Sequence, residues 1–506
     1  MGRNPIRVGL ATVAIALAVP AAGQAATTIT VNTEADNPPL VTECSGLPLD
    51  CSLRQAIDKA ADGDTVALPA GHYVVGSTLE VSRDISIVGS GTPVIDGNHQ
   101  VRIFRIGSGS DTSVSGVTVT GASAPADIGG AFLVPGVLTL IDSTITDSDA
   151  GDGAAIGLVN LESAATAVVI RSTISGNRAE RFGGAVASDF GSLTLINSTV
   201  TGNTAGSAGQ DGAGGGIYLQ GGSGFFAARA AIFSSTVVQN TAIGAGGEGG
   251  NLFRDPGQVA RVAGGFPGGP EYLMKNTIVA DGTATTAPNC GGDQPESQGN
   301  NLVNTSGECG TSAATNDVNG PPGVGPLQNN GGPTLTRKLL PGSKAIDNGN
   351  ADGCVDDQGN PITTDQRIEM PRPRGPRCDI GAIEFAPPLA VTTQPLNVTK
   401  SDATITGDVS NLHIRPGTSY FEFGTSTNYG QTFDAGTVAA GASHDPRTQG
   451  VTGLSPNTLY HYRIVVQNED DTSFGPDVTF TTPTEAEPEP EPEPQGHKPT
   501  VRAARA

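Results

Sequence analysis

The sequence predicts an all-β protein. We expect a right-handed parallel β-helix with three short strands per coil and an N-terminal capping helix, followed by a β-sandwich. Three observations support this. One short phrase recurs five times, at 119–124, 145–150, 174–179, 200–205 and 237–242: a β-branched residue, then a small polar residue, then alanine, with a glycine-rich run after each copy. Glycine supplies 71 of the 506 residues, Trp is absent and charged residues are only 15%, which suits short strands and tight turns better than helical bundles. Finally, the chain beyond residue 386 changes to longer stretches of apolar–polar alternation.

The N-terminus reads as a secretory signal over 1–25. Arg3 and Arg7 form a basic start, residues 8–19 are apolar but too short to span a bilayer, and Gly23 and Ala25 suit a cleavage site. No later apolar stretch has spanning length, so we expect an exported chain with no integral membrane segment, secreted or associated with the cell surface. Six cysteines after such a signal favour disulfides. By proximity the expected pairs are Cys44 with Cys51, Cys290 with Cys309, and Cys354 with Cys378. No C-x-x-C occurs, which argues against zinc knuckles and redox motifs. The formal charge of −22 repels phosphate backbones and anionic membranes, so nucleic acid is not an expected partner.

The next element is a helix at about 52–61. Ser52 is its N-cap and Gln55 completes a capping box, with Leu53, Ala56, Ile57 and Ala60 on one face. Its expected task is to cover the open edge of the solenoid. Strand-like segments follow at 65–68, 73–75, 85–88 and 94–97. The repeat then advances in steps of 26, 29, 26 and 37 residues, with a decayed sixth copy at Ile278. In each coil a glycine pair leads into one strand, an alternating strand follows, and a Ser-Thr-Ile/Val strand closes the turn. Stacked about 4.8 Å apart, such coils enclose a continuous core, with Leu140, Ile145, Val169, Ile174, Leu195 and Val200 pointing inward. Asn177, Asn203 and Asn240 recur at one position and are expected to stack, taking a left-handed turn conformation and bonding to the next coil. The longer late steps imply insertions at 206–214 and 255–269, on a face suited to binding.

Residues 51–57 (CSLRQAI) resemble the CSLREA signature of secreted bacterial surface β-helix proteins, with Gln55 in place of the usual Glu. Residues 68–73 and 94–97 are similar to that family's continuation. The stretches 330–336, 340–347, 364–367 and 372–384 resemble the choice-of-anchor Q segment that closes such proteins. The resemblance covers about 28–386. It implies a secreted, pectate-lyase-like fold in a family mostly of unknown activity.

After a linker at 386–388, strand-like stretches at 403–406, 419–423, 460–466 and 478–481 suit a seven-stranded, immunoglobulin-like sandwich. Residues 454–460 (LSPNTLY) resemble the tyrosine-corner approach of fibronectin type III domains, although the usual early-strand Trp is missing. Residues 485–494 alternate Glu and Pro as an extended spacer, and 497–506 are basic without an apolar anchor. The expected organisation is thus a signal (1–25), the β-helix (26–320), the closing segment (321–386), the sandwich (387–483) and a linker with tail (484–506).

Chemistry is sought among acidic turns. Asp147, Asp149 and Asp152 lie within six positions and form a candidate Ca²⁺ site or a glycosidase acid–base set. A lyase would add a basic residue to abstract a proton, for which Arg171, Arg178 and Arg181 lie about one coil further on. The plain alternative is that Asp and Gly suit turns. Residues 348–353 open like a calcium loop, but position 12 is Gly359, so a turn pinned by Cys354 explains them better. Residues 244–249 match G-x-G-x-x-G without a βαβ context. His72 and His461 sit in strand-like segments as structural residues.

The reading is a monomeric surface or matrix protein, requiring no cofactor, that binds extracellular polysaccharide or another cell-surface component or mediates adhesion. The alternatives are a polysaccharide lyase or glycoside hydrolase working through the acidic turn, and a structural spacer without a ligand.

Overall fold

The computed structural model describes residues 26–36, 44–46, 49–160, 165–221, 228–256, 272–351, 353–356, 358–411 and 415–484. The signal-like segment, most of the second insertion and the Glu-Pro tail lie outside them. The chain divides into two compact units, Met1–Ala386 and Pro387–Ala506.

The first unit is a parallel β-helix. One sheet stacks ten strands from Thr28–Thr30 through Val137–Ile141 to Glu296–Ser297, and a second stacks ten from His72–Val74 through Thr144–Thr146 to Val318–Asn319. A third stacks eight, from Leu79–Val81 through Ile217–Leu219 to Cys290–Gly292. Three strands per coil describe its early turns. Five coils add a fourth, short sheet between the second and third, running from Ser123–Ile128 to Thr241–Ala242. The alanine of each repeated phrase lies in this added strand. Ala124 pairs with Ala150, Ala150 with Ala179, and Ala179 with Ala205.

Register makes the core. Leu140, Val169, Leu195 and Ile232 are direct neighbours in the first sheet, and Ile145, Ile174, Val200 and Val237 in the second. All eight are fully buried. Each such side chain contributes about 1.5–3 kcal/mol relative to exposure, and the parallel stack places like residues above one another in unbroken columns.

Two polar ladders run inside the corners. The asparagine ladder extends beyond the repeat. Asn177, Asn203 and Asn240 each donate from Nδ2 to the next residue's Oδ1, at 2.9, 2.9 and 3.0 Å, the last acceptor being Asn251. Asn251 continues to Asn289 at 3.1 Å. The left-handed conformation, however, falls one residue earlier than expected, on Gly121, Asp147, Gly176, Gly202, Gln239 and Asp281. That preceding residue turns the chain, which frees the asparagine to point inward and satisfy buried backbone groups. The second ladder uses the serines that open each Ser-Thr-Ile strand. The Ser143 N–H donates to Ser172 Oγ at 3.1 Å, Ser172 N–H to Ser198 Oγ at 3.2 Å, and Ser198 N–H to Ser235 Oγ at 3.2 Å. Both ladders pair corner amides that the sheets cannot reach.

The N-terminal end is capped by the helix Leu53–Lys59, which buries Leu53, Ala56 and Ile57. Gln55 N–H donates to Ser52 Oγ at 3.2 Å, and Ser52 N–H donates to Gln55 Oε1 at 3.0 Å. Disulfides join Cys44 to Cys51, Cys290 to Cys309, and Cys354 to Cys378.

Residues 321–386 fold back over the outer face of the second sheet. Thr173 Oγ1 donates to the Leu335 carbonyl at 2.6 Å, Thr199 Oγ1 to Gln366 Oε1 at 2.7 Å, and Arg337 Nε to Thr201 Oγ1 at 2.8 Å. The Ala382 N–H reaches Thr236 Oγ1 at 3.0 Å. Threonines that alternate outward on the strands are therefore buried. Within the segment, two ion pairs are fully buried: Arg367–Asp365 at 2.7 Å and Arg372–Glu384 at 2.9 Å, the latter without hydrogen-bond alignment at Arg372 Nε.

The second unit is an antiparallel sandwich. Leu389–Leu396, Asp402–Asn411 and Ala442–Thr452 form one sheet. Gly417–Gly424, Gly430–Val438, Leu459–Gln467, Thr472–Phe474 and Val478–Thr481 form the other. The described strands number eight, one more than expected, and the last expected stretch, Val478–Thr481, is preceded by a separate short strand, Thr472–Phe474, on the same neighbour. With no Trp in the chain, the core of this unit holds stacked rings, Phe423 on Tyr460 at 5.1 Å and Tyr460 on Phe480 at 5.6 Å. The Ser455 N–H donates to the Tyr460 hydroxyl at 2.9 Å, tying the strand to the loop before it.

Candidate functional site

The site grows from strand alternation in the third sheet. In Ile217–Leu219 and Leu252–Arg254 the leading Ile217 and Leu252 enter the core, so Tyr218 and Phe253 point to the other face. Tyr218 pairs with Phe253 on one side and with Ala187 on the other. The Tyr218 ring stacks on Phe182, from the end of the corner strand Arg178–Phe182, at 4.6 Å, and on Phe253 at 5.7 Å. Ring faces are consumed by one another, leaving ring edges and the tyrosine hydroxyl for ligand contact. The first insertion supports this column, since its Ala213 packs into the same cluster and bridges Phe182 and Glu248.

Two positions further along each strand, on the same outward side, stand Asp189, Gln220 and Asp255. The first two, with Asp152, Arg181, Phe182, Ala187 and Tyr218, line a concave pocket of about 270 Å³. That volume is near the lower limit of small-molecule sites. Asp152 is ion-paired with Arg181 and accepts the Phe182 N–H at 3.1 Å. Asp189, Tyr218 Oη and the Gln220 amide have no side-chain partner among the described residues.

Burial raises the Asp152 carboxyl above its ordinary value, a shift opposed by the hydrogen bond and charge of Arg181. Asp189 is raised by burial and then by the Asp152 charge. Burial, followed by Asp255, Asp189 and Asp152, keeps the Tyr218 phenol protonated.

Of the three carboxylates singled out in the sequence, two share one histidine and the third stands apart. Asp147 holds the left-handed corner and lies 3.4 Å from His99 Nε2, while Asp149 lies 3.5 Å from His99 Nδ1. Only Asp152 lines the pocket. A bulge between Ala150 and Asp152 shifts its register from that of Asp149. Among the described residues, no group of three or more His, Cys, Asp or Glu side chains is arranged to hold a metal ion. Arg171 is tied to Asp142 by two bonds, at 2.7 and 2.9 Å, at a different corner. Arg178 stands in register with Asp149, and Arg181 alone of the three arginines reaches the pocket. His72 pairs with Asp96 at 2.9 Å and His461 with Asp477 at 2.8 Å.

Sequence reasoning missed Asp189, Tyr218 and Gln220. Their signal was available in the spacing. Once Val186, Ile217 and Leu252 are aligned as the core positions opening their strands, the residues one and three places on form a column on the opposite face.

No family model matches the chain, and no curated protein matches it. Among solved structures it is similar to the sensor domain of the anti-sigma factor RsgI4 of Pseudobacteroides cellulosolvens, with 16% identity over 20% of this chain and 100% of that one, at a TM-score of 0.18. A solution structure of the same sensor domain has 15% identity over 22% of this chain and 92% of that one, at a TM-score of 0.17. A fibronectin type III domain of the human KIAA0970 protein is 13% identical over 22% of this chain and 85% of its own, at a TM-score of 0.15.

Proposed function

We propose that this chain is exported and acts at the cell surface or in the extracellular matrix as a carbohydrate-binding protein. The pocket over the Phe182–Tyr218–Phe253 column is its site. One observation carries the reading: a carboxylate, a phenol hydroxyl and a primary amide, none with a side-chain partner among the described residues, meet in one concavity. Such donors and acceptors suit the vicinal hydroxyls of a sugar, and partial withdrawal from water strengthens each hydrogen bond. Export is supported by the signal-like segment 1–25 and by the three disulfides, which persist in oxidising compartments. The finer resemblance to CSLREA-type proteins closed by a choice-of-anchor Q segment agrees with this reading, as does a fibronectin type III-like domain serving as spacer or secondary binder.

A second reading, a glycoside hydrolase, is favoured by one observation. Asp152 and Asp189 face the same pocket, and burial raises the proton affinity of each, with the Asp152 charge adding to it at Asp189. The experiment is a glycan array with the secreted protein, followed by assays of reducing ends and of unsaturated product on every glycan retained. Binding without product supports the first reading. Reducing ends that vanish in Asp152→Asn and Asp189→Asn replace it with the second. Failure to retain any glycan rejects both.

A further inference from the structure

The charge around the pocket narrows the ligand class. Asp152 and Asp189 line it, and the only cation among the lining residues, Arg181, is already spent on Asp152. The Asp255 backbone N–H bonds to the Leu219 carbonyl at 3.0 Å, which sets Asp255 beside Gln220 as a further negative charge, and Glu180 adds to the field at Asp152. A carboxylated sugar entering here meets like charge on two sides. Asp189 stands opposite with no ion pair of its own, and the attraction of the shared Arg181 ranks below the burial and the Asp152 charge that oppose its ionisation. A metal ion is a poor answer, since no three ligating groups converge among the described residues. A ligand ammonium is a better one, because it needs one carboxylate and not a coordination shell. The second observation is independent of the acidic pair. Tyr218 is more than nine-tenths buried, yet its hydroxyl has no protein partner among the described residues. The ring is buried while the hydroxyl opens on the pocket, where a polar group of a ligand can meet it. With the Gln220 amide beside it, the pocket offers one ionic contact and two neutral ones, the pattern of a pyranose carrying one amine and several hydroxyls.

We infer that the pocket recognises a sugar with a free, protonated amine, a hexosamine residue of a basic polysaccharide. Asp189 receives the ammonium, and Tyr218 and Gln220 hold the neighbouring hydroxyls. This rests on the carbohydrate-binding reading above.

The test is calorimetric titration of the full chain, at mildly acidic pH, with a glucosamine tetramer, its N-acetylated form, a galacturonate tetramer and a tetralysine peptide. The glucosamine tetramer should bind roughly tenfold or more tighter than the acetylated form, as expected for a hydrogen bond to a charged group. Its affinity should fall with added salt. Asp189→Asn should abolish the preference. Tyr218→Phe should weaken both sugars together. Three results overturn the inference: a preference for the galacturonate, a preference for the lysine peptide, or an Asp189→Asn variant that keeps the full amine preference. If the acetylated and free tetramers bind equally, amine recognition fails while carbohydrate binding stands. If no glycan binds at all, the parent reading fails with it.

Discussion

Asn203 both donates to Asn240 Oδ1, at 2.9 Å, and accepts from Asn177 Nδ2, at 2.9 Å, so one buried side chain joins three successive coils. Its amide also reaches the carbonyls of Ile174 at 3.0 Å and Thr201 at 3.2 Å, and its Oδ1 accepts the Asn177 N–H at 3.0 Å. Asn203→Ala removes all of these at once and strands buried groups on two neighbours. Each stranded group costs about 1–3 kcal/mol, so we expect a loss of roughly 3 kcal/mol or more for the β-helix. Urea unfolding followed by a probe in the first unit measures it. A change within about 0.5 kcal/mol, the usual range of a surface substitution, would show that the ladder is not a stabilising element.

The closing segment depends on Asp365. Its carboxylate receives the Arg367 guanidinium at 2.7 and 3.0 Å, the Arg367 N–H at 2.7 Å and the Glu384 N–H at 2.8 Å, all out of water. Asp365→Asn leaves a buried guanidinium facing a neutral group. Breaking a buried pair in this way costs about 3–5 kcal/mol. We expect the segment 321–386 to become open to limited proteolysis while the coils beneath it stay folded. Cleavage kinetics that match the wild type would sink this.

The same segment carries a pH dependence. Burial, and then the Glu384 charge, push Asp379 up to about 7, and burial also raises Glu384. A carboxyl with a raised folded-state value holds its proton more tightly in the folded state than in the unfolded one. Its stabilising contribution is therefore complete below the unfolded value, near ~4, and is lost as pH rises toward about 7. The wild type should lose stability across this window. Asp379→Asn should flatten that slope, leaving the part due to Glu384. Parallel urea titrations of the two proteins at several pH values decide it, and equal slopes count against the assignment.

Tyr218 separates stability from binding. Its ring is held on both faces, but its hydroxyl has no protein partner among the described residues. Tyr218→Phe should therefore change unfolding by less than about 0.5 kcal/mol while weakening retention of glycans. A large stability loss would mean that the hydroxyl serves the fold.

Much of the scaffold was legible because a solenoid repeats its own instructions. The capping box at Ser52 and Gln55, the core columns through Ile145 and Ile174, and the stacking of Asn177 on Asn203 each follow from local spacing. The left-handed residue was assigned one place late, because both Asn and the preceding Gly are plausible there and only the direction of the side chain decides between them. The fourth strand was hidden for a related reason. Its residues around Ala150 and Ala179 are short polar-rich runs, 149–152 and 178–182, with no apolar alternation to mark them.

The sequence by itself determined the coil, its period and the residues that fill it, because core burial and corner geometry act within one repeat. Tertiary structure alone decided which surface residues meet. Asp152, Asp189 and Gln220 are far apart in sequence, and stacking of unequal coils brings them to one pocket. It also decided that the outward threonines from Thr173 to Thr236 are covered, because a segment more than a hundred residues downstream returns to bond them. Loop lengths between coils carry no periodic signal, yet they set which side chain of one coil stands above which of the next. The site therefore became visible only when the coils were stacked.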